Sequence, residues 1–536
     1  MTRRAPLPLI MVFLAGPVAV ATPAVAAPGG ALPLGPAGLE EVRTTRTLQP
    51  GVTLTRIVRG HADPSAVWTV EVAIPAGAGS PDPDAPPAAI SSEGDARATA
   101  GRLLAAGLDP RVEQVETPPL ADFSGVLGWR VRVGTTATKP EADALRQRVI
   151  AAGFAGSTVY TGWDGEPDDV GSSTGPWHVD VLTIDPRGFH GRLDATYGPD
   201  LEQRETTSRL AALEGADAAV NAGFFVLDPA AGAPGDPAGA GAYDGRLVSE
   251  PVAGRPALVL RDDARRTSIK RLRWRGEVAG LALDGLNRVP GLIRNCGGTG
   301  DAPTDLPLHD VTCTDPDELI AFDGSYGTST PSGPGAEVVL DRGGRVIDIR
   351  PVRGTTVPAG GRTVQGTGAK ADALLAAAHR GRRLIVRASL VDEDGRPVPT
   401  PRPVSIVNGG PELVRDGRVH ATPAADGMIH PGEPSFAYGW VHKRNPRTFV
   451  GVDAKGRTVL VTADGRSTSS VGLGIAETAA VARSLGLRDA MNLDGGGSTT
   501  MVAGGAVINV PSDASGERPV GDALVVCGAY RPNIAR

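Results

Sequence analysis

The chain has 536 residues, of which 41% are hydrophobic and 21% charged, as expected for a folded protein of two or three domains. Its 72 glycines and 47 prolines indicate many turns and favour a strand-rich architecture. The formal net charge is −6 and no basic run offsets it, which argues against nucleic acid or an anionic membrane surface as a partner.

The first residues have the pattern of a secretory signal peptide. Arg3 and Arg4 precede a mostly apolar stretch, and Ala24-Val25-Ala26 has the form of a cleavage site. No other segment is long and apolar enough to span a bilayer. We therefore expect residues 1–26 to be a signal peptide and the mature protein to be secreted, with no membrane span.

A small module is predicted next along the chain. Residues 27–50 are rich in Pro, Gly and Ala and are predicted to be a linker. Within residues 51–163, strand and helix patterns alternate in the order strand, helix, strand, strand, helix, strand, with helices over 93–106 and 139–152. Such a double strand–helix–strand unit folds with its helices on one face of an antiparallel sheet, a ferredoxin-like arrangement.

This module resembles a SPOR domain. The resemblance is carried by Trp129-Arg130-Val131-Arg132-Val133-Gly134, by residues 142–145 and by Ala151-Ala152-Gly153-Phe154. It implies that glycan strands of bacterial peptidoglycan bind to the face of the sheet. The alternative is a ferredoxin-like spacer that binds nothing.

The rest of the chain is predicted to be one large domain. Residues 164–175 are rich in Asp, Gly and Ser and read as a second linker. Residues 176–536 are predicted to be strand-rich, α+β or α/β, with a large mixed sheet. Cys296 and Cys313 lie in one Gly/Pro/Asp-rich loop and are the expected disulfide, since export permits one. Cys527 lies in an apolar strand pattern and is expected to be a small core residue.

The segment Met491-Asn492-Leu493-Asp494-Gly495-Gly496-Gly497-Ser498-Thr499 is the strongest candidate for a binding site. In a strand, Asn492 and Asp494 would share one face, and three glycines would follow where backbone N–H groups can approach a ligand. A carboxylate beside a glycine-rich loop suits a polar, anionic substrate. A tight turn in which Asp494 caps its own backbone is the alternative.

The same arrangement, an apolar strand that ends in Asn and then glycine, occurs twice more. The two segments are Val220-Asn221-Ala222-Gly223 and Val407-Asn408-Gly409-Gly410. One such exit is ordinary turn chemistry, but three in one domain suggest strand ends that converge on a cavity. Asn amides suit sugar hydroxyls because they both donate and accept, and Phe224 and Phe225 offer an apolar wall unless they pack in the core.

These segments carry a second resemblance. Together with Asn445-Pro446-Arg447-Thr448, Asp464-Gly465-Arg466 and residues 518–526, they are similar to the phosphodiester glycosidase family over nearly all of residues 176–530. One departure is Ala222, where the family commonly has glycine. The resemblance implies hydrolysis of a sugar-phosphate diester at its glycosidic bond.

Catalysis of that reaction needs a carboxylate near the developing oxocarbenium ion and positive charge or N–H donors at the leaving phosphate. Asp494 is the first candidate carboxylate and Glu477 the second, although a helix N-terminus explains an acid at Glu477 equally well. Arg447 is the candidate for the phosphate, with a surface ion pair as the alternative. The residues expected to bind substrate lie at strand ends and in glycine loops: Asn221, Gly223, Phe224, Asn408, Gly409, Gly410, Asn492, Gly495, Gly496, Gly497, Ser498 and Thr499.

The family resemblance also bears on domain order. In the phosphodiester glycosidase family a Pro-Gly-Val start belongs to the catalytic domain, and here Pro50-Gly51-Val52 precedes the SPOR-like module. We therefore predict that the module is an insertion and that residues 51–58 pair with a strand such as Val179–Ile184.

Other enzyme classes do not fit. The chain has no G-x-S-x-G elbow at its glycine loop, no phosphate loop of the G-x-x-x-x-G-K-[ST] type and no HExxH pair. No cofactor or metal site is predicted, and nothing in the sequence supports a divalent cation at Asp494. We expect an exported cell-envelope hydrolase of sugar-phosphate diesters that is targeted to peptidoglycan, with a non-catalytic envelope glycan-binding protein as the alternative.

Overall fold

The computed structural model describes residues 30–74, 87–165, 171–252, 254–297 and 306–529, so the predicted signal peptide lies outside the described residues. Over these ranges the protein is strand-rich and α+β, with its strands divided among several sheets. None of the helices found there is long and apolar enough to cross a membrane.

The module predicted over residues 51–163 contains a four-stranded antiparallel sheet with two helices on one face. The helices are Glu93–Ala105 and Lys139–Ala151, and their apolar side chains pack against alternate residues of the central strands. Because side chains alternate across a strand, the polar residues between them point to the opposite face. In spatial order the strands are Pro110–Thr117, Gly125–Thr136, Trp68–Val72 and Gly156–Tyr160.

An eight-stranded sheet forms the centre of the remaining protein. Its strands, in spatial order, are Glu41–Gln49, Val52–Arg59, Trp177–Ile184, Thr458–Ala463, Arg447–Asp453, Leu487–Asn492, Glu412–Arg415 and Arg418–Val419.

The predicted pairing of residues 51–58 with residues 179–184 is present. Val52 lies opposite Ile184 and Arg59 opposite Trp177, in an antiparallel register without interruption. The prediction of a linker over residues 27–50 is wrong for its second half, because residues 41–49 form the edge strand of this sheet. The alternation of polar and β-branched residues there is a strand pattern that the Pro/Gly-rich start obscures.

The early strand at residues 52–59 also contributes to the core of the large domain. Leu54 is 5% exposed and packs in one apolar cluster with Leu182, Val450 and Leu460. We expect Leu54→Ala to lower the free energy of unfolding of the whole chain by about 2–4 kcal/mol, because it leaves a cavity among these residues. Denaturant unfolding measures this, with Val42→Ala on the exposed edge strand as the control. A loss no larger than that of the control would contradict the assignment of this strand to the large core.

Further sheets and helices complete the large domain. Two five-stranded sheets pack on the eight-stranded sheet through the shared apolar cluster, and two more sheets enclose a separate core. The strands, sheet by sheet, are Ala506–Val507, Met501–Ala503, Ala218–Asn221, Ala523–Cys527 and Arg192–Thr196; Arg246–Ser249, Gly241–Tyr243, Val404–Asn408, Pro256–Arg261 and Ser268–Arg271; Leu281–Leu283, Arg273–Val278 and Val386–Val391; Gly285–Leu286, Leu319–Asp323, Arg362–Gly366, Gly333–Leu340 and Val346–Arg353; Ile293–Arg294 and Thr312–Cys313; Pro519–Val520 and Glu205–Thr206. The helices are Thr207–Glu214, Gly368–Ala377, Pro434–Ala437 and Ile475–Ser484, with a π-helical turn at Tyr438–His442 and short 3-10 turns at Thr161–Trp163, Pro229–Ala231 and Gly496–Ser498.

The cysteines are placed as predicted. Cys296 and Cys313 form a disulfide with their Cα atoms 5.7 Å apart. Cys527 is a buried free thiol in an apolar cluster, and burial raises its pKa.

Candidate active site

Three strand ends meet at one place in the large domain, as the three Asn-Gly exits predicted. Asn221 closes the strand Ala218–Asn221, and its amide Nδ2 donates to the carbonyl of Asp494 at 2.6 Å. Its Oδ1 accepts from the Thr448 hydroxyl at 2.7 Å and from the Thr500 N–H at 3.1 Å. The Asn221 amide is thus used to brace the loop that carries Asp494.

Asn408 has a similar bracing role. Its Oδ1 accepts from the Phe224 N–H at 2.9 Å, and its Nδ2 donates to the Phe224 carbonyl at 3.1 Å. Gly223 lies against this amide, since a Cβ at Gly223 would be 2.8 Å from the Asn408 Nδ2. Gly409 is as tightly enclosed, with the Met491 Cε only 2.3 Å from a built Cβ. These residues position the loops, and both ends of the Asn408 amide hold the backbone of Phe224.

Asn492 differs from the other two asparagines. Its Nδ2 donates to the Gly410 carbonyl at 3.2 Å, while its Oδ1 is buried and has no hydrogen-bond partner among the described residues. Asn492 also lines the cavity described below. Its carbonyl oxygen is therefore available to accept a hydrogen bond from a bound hydroxyl.

The glycine loop follows directly. The Asp494 N–H donates to the Ala222 carbonyl at 2.9 Å, so both backbone groups of Asp494 are held. Gly496 has φ +57°, which favours glycine, and its N–H donates to the Pro446 carbonyl at 2.9 Å. The Gly496 N–H is therefore used within the protein, in contrast to the prediction that the glycine N–H groups can approach a ligand. Ser498 and Thr499 are fully buried, with hydroxyls that lack partners among the described residues.

These elements enclose a cavity of about 660 Å³, counting the part that is open to solvent. Asp494 lies in its wall and is half-buried. Phe224 and Phe225 both contribute apolar surface, so neither is confined to core packing. The lining residues are Phe224, Phe225, Leu227, Arg294, His309, Asp310, Met428, Trp440, Arg447, Asn492, Asp494, Gly495, Gly496, Gly497 and Arg518.

Arg447 is a buried cation for which the described part of the chain provides no carboxylate partner. Its Nε donates to the Leu473 carbonyl at 2.9 Å, and its Nη2 donates to the Trp440 carbonyl at 2.7 Å. Among the described residues no Asp or Glu oxygen lies within 4.0 Å of the guanidinium, in contrast to the surface ion pair that was the alternative. Burial, together with the charge of Arg466, lowers the pKa of Arg447 to about 9, so the group remains protonated at neutral pH. An anion in the cavity would supply the missing counter-charge.

Other arginines at the cavity are paired with aspartates. Arg294 donates to Asp310 at 2.9 Å, and Arg518 donates to Asp513 at 2.8 Å. Arg518 also lies close to the glycine loop, since a Cβ at Gly497 would be 2.2 Å from its Nη2. The cavity wall thus combines several guanidinium groups with two lining carboxylates, those of Asp494 and Asp310.

His309 is a cavity residue that sequence reasoning missed. Its ring lies edge-on to Phe224 with centroids 4.2 Å apart, and its Nδ1 is 3.2 Å from the Nη2 of Arg255. Burial lowers the pKa of His309 well below its usual value, with Arg255 and Arg294 adding to the effect, so the ring is neutral. An isolated histidine after a loop gives no sequence signal, and the same holds for Asp310, Arg294 and Trp440.

Glu477, the second candidate carboxylate, does not reach the cavity. It lies at the start of the helix Ile475–Ser484 and accepts from the Arg444 guanidinium at 2.8 Å, and both side chains are 1% exposed. Its second oxygen accepts from the Gly474 N–H at 3.0 Å, as a helix-capping acid does. The structure therefore places Glu477 in a buried ion pair at the start of the helix. This agrees with the alternative interpretation of Glu477 as a helix N-terminal acid.

The start of the predicted second linker is packed against the small module and is not an exposed connection. Asp164 is 3% exposed and accepts from Arg132 at 2.6 Å, so at least the start of residues 164–175 is fixed to the small module. No group of three or more His, Cys, Asp or Glu side chains that could hold a metal ion occurs in the described ranges.

Comparison with known proteins agrees with this architecture. The family model described as phosphodiester glycosidase matches residues 334–527, and the SPOR domain model matches residues 88–160. Matches to the phosphodiester glycosidase family and to the SPOR domain therefore occur within one polypeptide.

Two curated enzymes are similar to part of this chain. N-acetylglucosamine-1-phosphodiester alpha-N-acetylglucosaminidase of Bos taurus is 30% identical over 158 residues, 29% of this chain and 29% of that protein. The enzyme of the same name from Mus musculus is 32% identical over 111 residues, 20% of this chain and 21% of that protein. The chain thus spans less than a third of the length of these curated relatives.

A solved structure matches over nearly its whole length. It is the crystal structure of a protein from Burkholderia pseudomallei K96243 that is thought to be exported. It is 34% identical and superposes with a TM-score of 0.82 over 94% of this chain and 99% of that one. The combination of both domains is therefore shared with a bacterial protein.

Proposed function

We propose that this protein is an exported hydrolase that cleaves the glycosidic bond of a sugar-phosphate diester in the bacterial cell envelope. The observation that carries the proposal is Arg447, a buried guanidinium at the cavity whose donors reach only backbone carbonyls. A phosphodiester or phosphomonoester is the anion that a guanidinium matches best. The curated relatives, which are named for hydrolysis of such a diester, support the same substrate class.

The cavity residues divide the work of that reaction. Asp494 is proposed as the carboxylate that stabilises or attacks the sugar carbon as the oxocarbenium ion develops. Arg447 takes the negative charge of the leaving phosphate. Phe224 provides an apolar surface for the sugar ring, and the unpartnered Oδ1 of Asn492 accepts from a sugar hydroxyl. Because a phosphate monoester is a good leaving group, a strong general acid is not required.

Export and wall association are the second part of the proposal. They are supported by the signal-peptide pattern of residues 1–26, by the SPOR family match and by the similarity to a protein thought to be exported. We also propose that residues 51–163 contain a ferredoxin-like SPOR domain inserted between strands of a phosphodiester glycosidase domain, with 176–536 as the main body of the latter. The order of strands in the four-stranded sheet and the pairing of residues 52–59 with 177–184 support this division.

A substrate screen tests the proposed activity. The full chain is incubated with sugar-1-phosphodiesters that differ in sugar and aglycone, and free sugar and phosphomonoester are quantified. Equal release of both products in oxygen-labelled water, with the label in the free sugar and not in the phosphomonoester, supports hydrolysis at the glycosidic bond. Tight binding of these compounds without any turnover would favour a glycan-binding protein, the alternative function. Co-sedimentation of the full chain with isolated sacculi tests wall association.

The role of Arg447 gives a separate prediction. We expect Arg447→Lys to lower kcat/KM for a sugar-phosphate diester by roughly 10–100-fold, because a planar cation with two usable donors is replaced by a point charge. Inhibition by inorganic phosphate should weaken in parallel. Arg457→Lys, in the turn that follows the strand of Arg447 and paired with Asp453, is the matched control. Unchanged phosphate inhibition in folded Arg447→Lys would contradict the assignment.

A further inference from the structure

The face of the SPOR sheet that lies opposite its helices is covered by the glycosidase domain. Glu71, Arg130 and Arg132 project from the two central strands on this face, yet they are only 5%, 3% and 2% exposed. Tyr438 and Lys443, from the segment of residues 438–443 that contains the π-helical turn, cover part of this face, and Asp164 covers Arg132 beside them. This is the face on which the SPOR resemblance places a glycan strand, and here the protein itself occupies it.

The contacts across this face are specific hydrogen bonds and ion pairs. The Tyr438 hydroxyl donates to Glu71 at 2.7 Å and accepts from Arg130 at 3.0 Å. The Lys443 ammonium donates to the other Glu71 oxygen at 2.8 Å. Arg132 donates to Glu71 at 3.0 Å on the same face. Burial raises the pKa of Glu71, but Lys443 and Arg132 outweigh it and lower the pKa to about 2. Glu71 is therefore an ionised anchor for the segment.

The same segment holds Arg447. The Arg447 Nη2 donates to the carbonyls of Trp440 at 2.7 Å and of Lys443 at 3.4 Å. The side chain of Lys443 therefore contacts the SPOR sheet, and its backbone carbonyl accepts a hydrogen bond from Arg447. Trp440, two residues after Tyr438 in the same segment, also lines the cavity. A continuous chain of contacts runs from the SPOR sheet to the proposed phosphate site.

Further contacts fix both ends of the segment to the SPOR domain. Before it, the Ile90 N–H donates to the Ser435 hydroxyl at 3.0 Å. After it, the Arg444 N–H donates to the Trp163 carbonyl at 2.9 Å and its Nη1 donates to the Gly162 carbonyl at 3.1 Å. The SPOR domain thus contacts the chain on both sides of the segment as well as the segment itself.

We propose that the sheet face of the SPOR domain is a positioning surface for the active site. Through Tyr438 and Lys443 it holds the 438–443 segment, whose carbonyl groups hold Arg447 at the cavity. The inference rests on the proposed role of Arg447 in binding phosphate. In this arrangement a glycan strand and the segment exclude one another on the same face, so wall binding with the segment in place has to use another surface of the domain.

Two variants of the full chain test the positioning surface. Tyr438→Phe removes only the hydroxyl that joins the segment to Glu71 and Arg130, and Glu71→Gln removes the charge that anchors Lys443. Glu93→Gln is the matched control, because Glu93 is an exposed residue on a helix of the same domain. Tyr438→Phe keeps the test decisive if Glu71→Gln does not fold.

Hydrogen exchange and phosphate inhibition are the measurements. We expect exchange of amides in residues 438–447 to increase, and the inhibition constant of inorganic phosphate to rise on the order of tenfold, in Tyr438→Phe but not in Glu93→Gln. KM should rise more than kcat falls, because binding of the phosphate is what the segment controls. Folded Tyr438→Phe with wild-type exchange and wild-type phosphate inhibition would overturn the proposal.

The exchange measurement separates this inference from the proposed function. A wild-type chain that neither hydrolyses a sugar-phosphate diester nor binds inorganic phosphate would refute the proposed function. Faster exchange confined to residues 438–447 in Tyr438→Phe would still support the coupling of the SPOR face to Arg447, and its absence would refute that coupling.

Discussion

Asp494→Asn is expected to leave the protein folded and to lower turnover of a sugar-phosphate diester by roughly 10²–10⁴-fold, the usual effect of losing a catalytic acid or base. The fold should survive because the contacts of Asp494 with Ala222 and Asn221 use its backbone groups, which the substitution keeps. Asparagine has nearly the same shape but no negative charge to offer the developing oxocarbenium ion. Steady-state kinetics with thermal unfolding on the same sample measures both parts.

Asp489→Asn is the matched control for this substitution. Asp489 lies on the same strand as Asn492, away from the cavity, and accepts from the Asp416 N–H at 3.0 Å. Its replacement should leave kcat/KM unchanged. A folded Asp494→Asn variant that turns over at the wild-type rate would remove Asp494 from the mechanism, and Asp310 would become the carboxylate to test.

Glu477→Gln is expected to have the largest effect on stability, about 3–5 kcal/mol of unfolding free energy, because it leaves Arg444 charged and buried without its partner. Glu477 and Arg444 are joined by a 2.8 Å hydrogen bond and both side chains are 1% exposed. At a temperature where the variant is fully folded, its kcat should remain close to that of the wild type. Denaturant unfolding and single-temperature kinetics distinguish these outcomes.

A double variant sharpens the test. Replacing both members of the pair, as Glu477→Leu with Arg444→Met, removes the buried charges together and should cost less stability than Glu477→Gln alone. If Glu477→Gln instead keeps wild-type stability and loses kcat, Glu477 acts in catalysis and the assignment to a structural ion pair fails.

The local pattern of the sequence predicted much of the fold because periodicity reports which side chains are buried. The strand predicted at residues 51–58 and the helices predicted at 93–106 and 139–152 correspond to elements that the structure contains. The linker assignment of residues 27–50 was wrong for 41–49, since a Gly/Pro-rich start hid a short edge strand whose pairing partner lies next along the chain. Composition alone does not distinguish a linker from an edge strand that is mostly exposed.

The site shows where sequence reasoning stops. Asp494, Asn492 and Arg447 were predicted from one strand exit and one motif, and all three line the same cavity. Whether an asparagine serves a ligand or the backbone depends on neighbours that are distant in sequence, so Asn221 and Asn408 could not be separated from Asn492 in advance. His309 reaches the cavity from a loop whose path depends on tertiary contacts, and no spacing pattern marks it.

Formation of the disulfide, and with it the constraint on part of the cavity wall, depends on the redox conditions of the compartment in which the protein folds. The Cys296–Cys313 bond closes a ring of chain that includes His309 and Asp310, both in the cavity wall. Closing a loop of this size removes about 3 kcal/mol of chain entropy from the unfolded state. Thiols stay reduced in the cytoplasm and pair outside it. If the chain is exported as proposed, the loop that carries His309 and Asp310 gains this constraint only after export, when the disulfide forms.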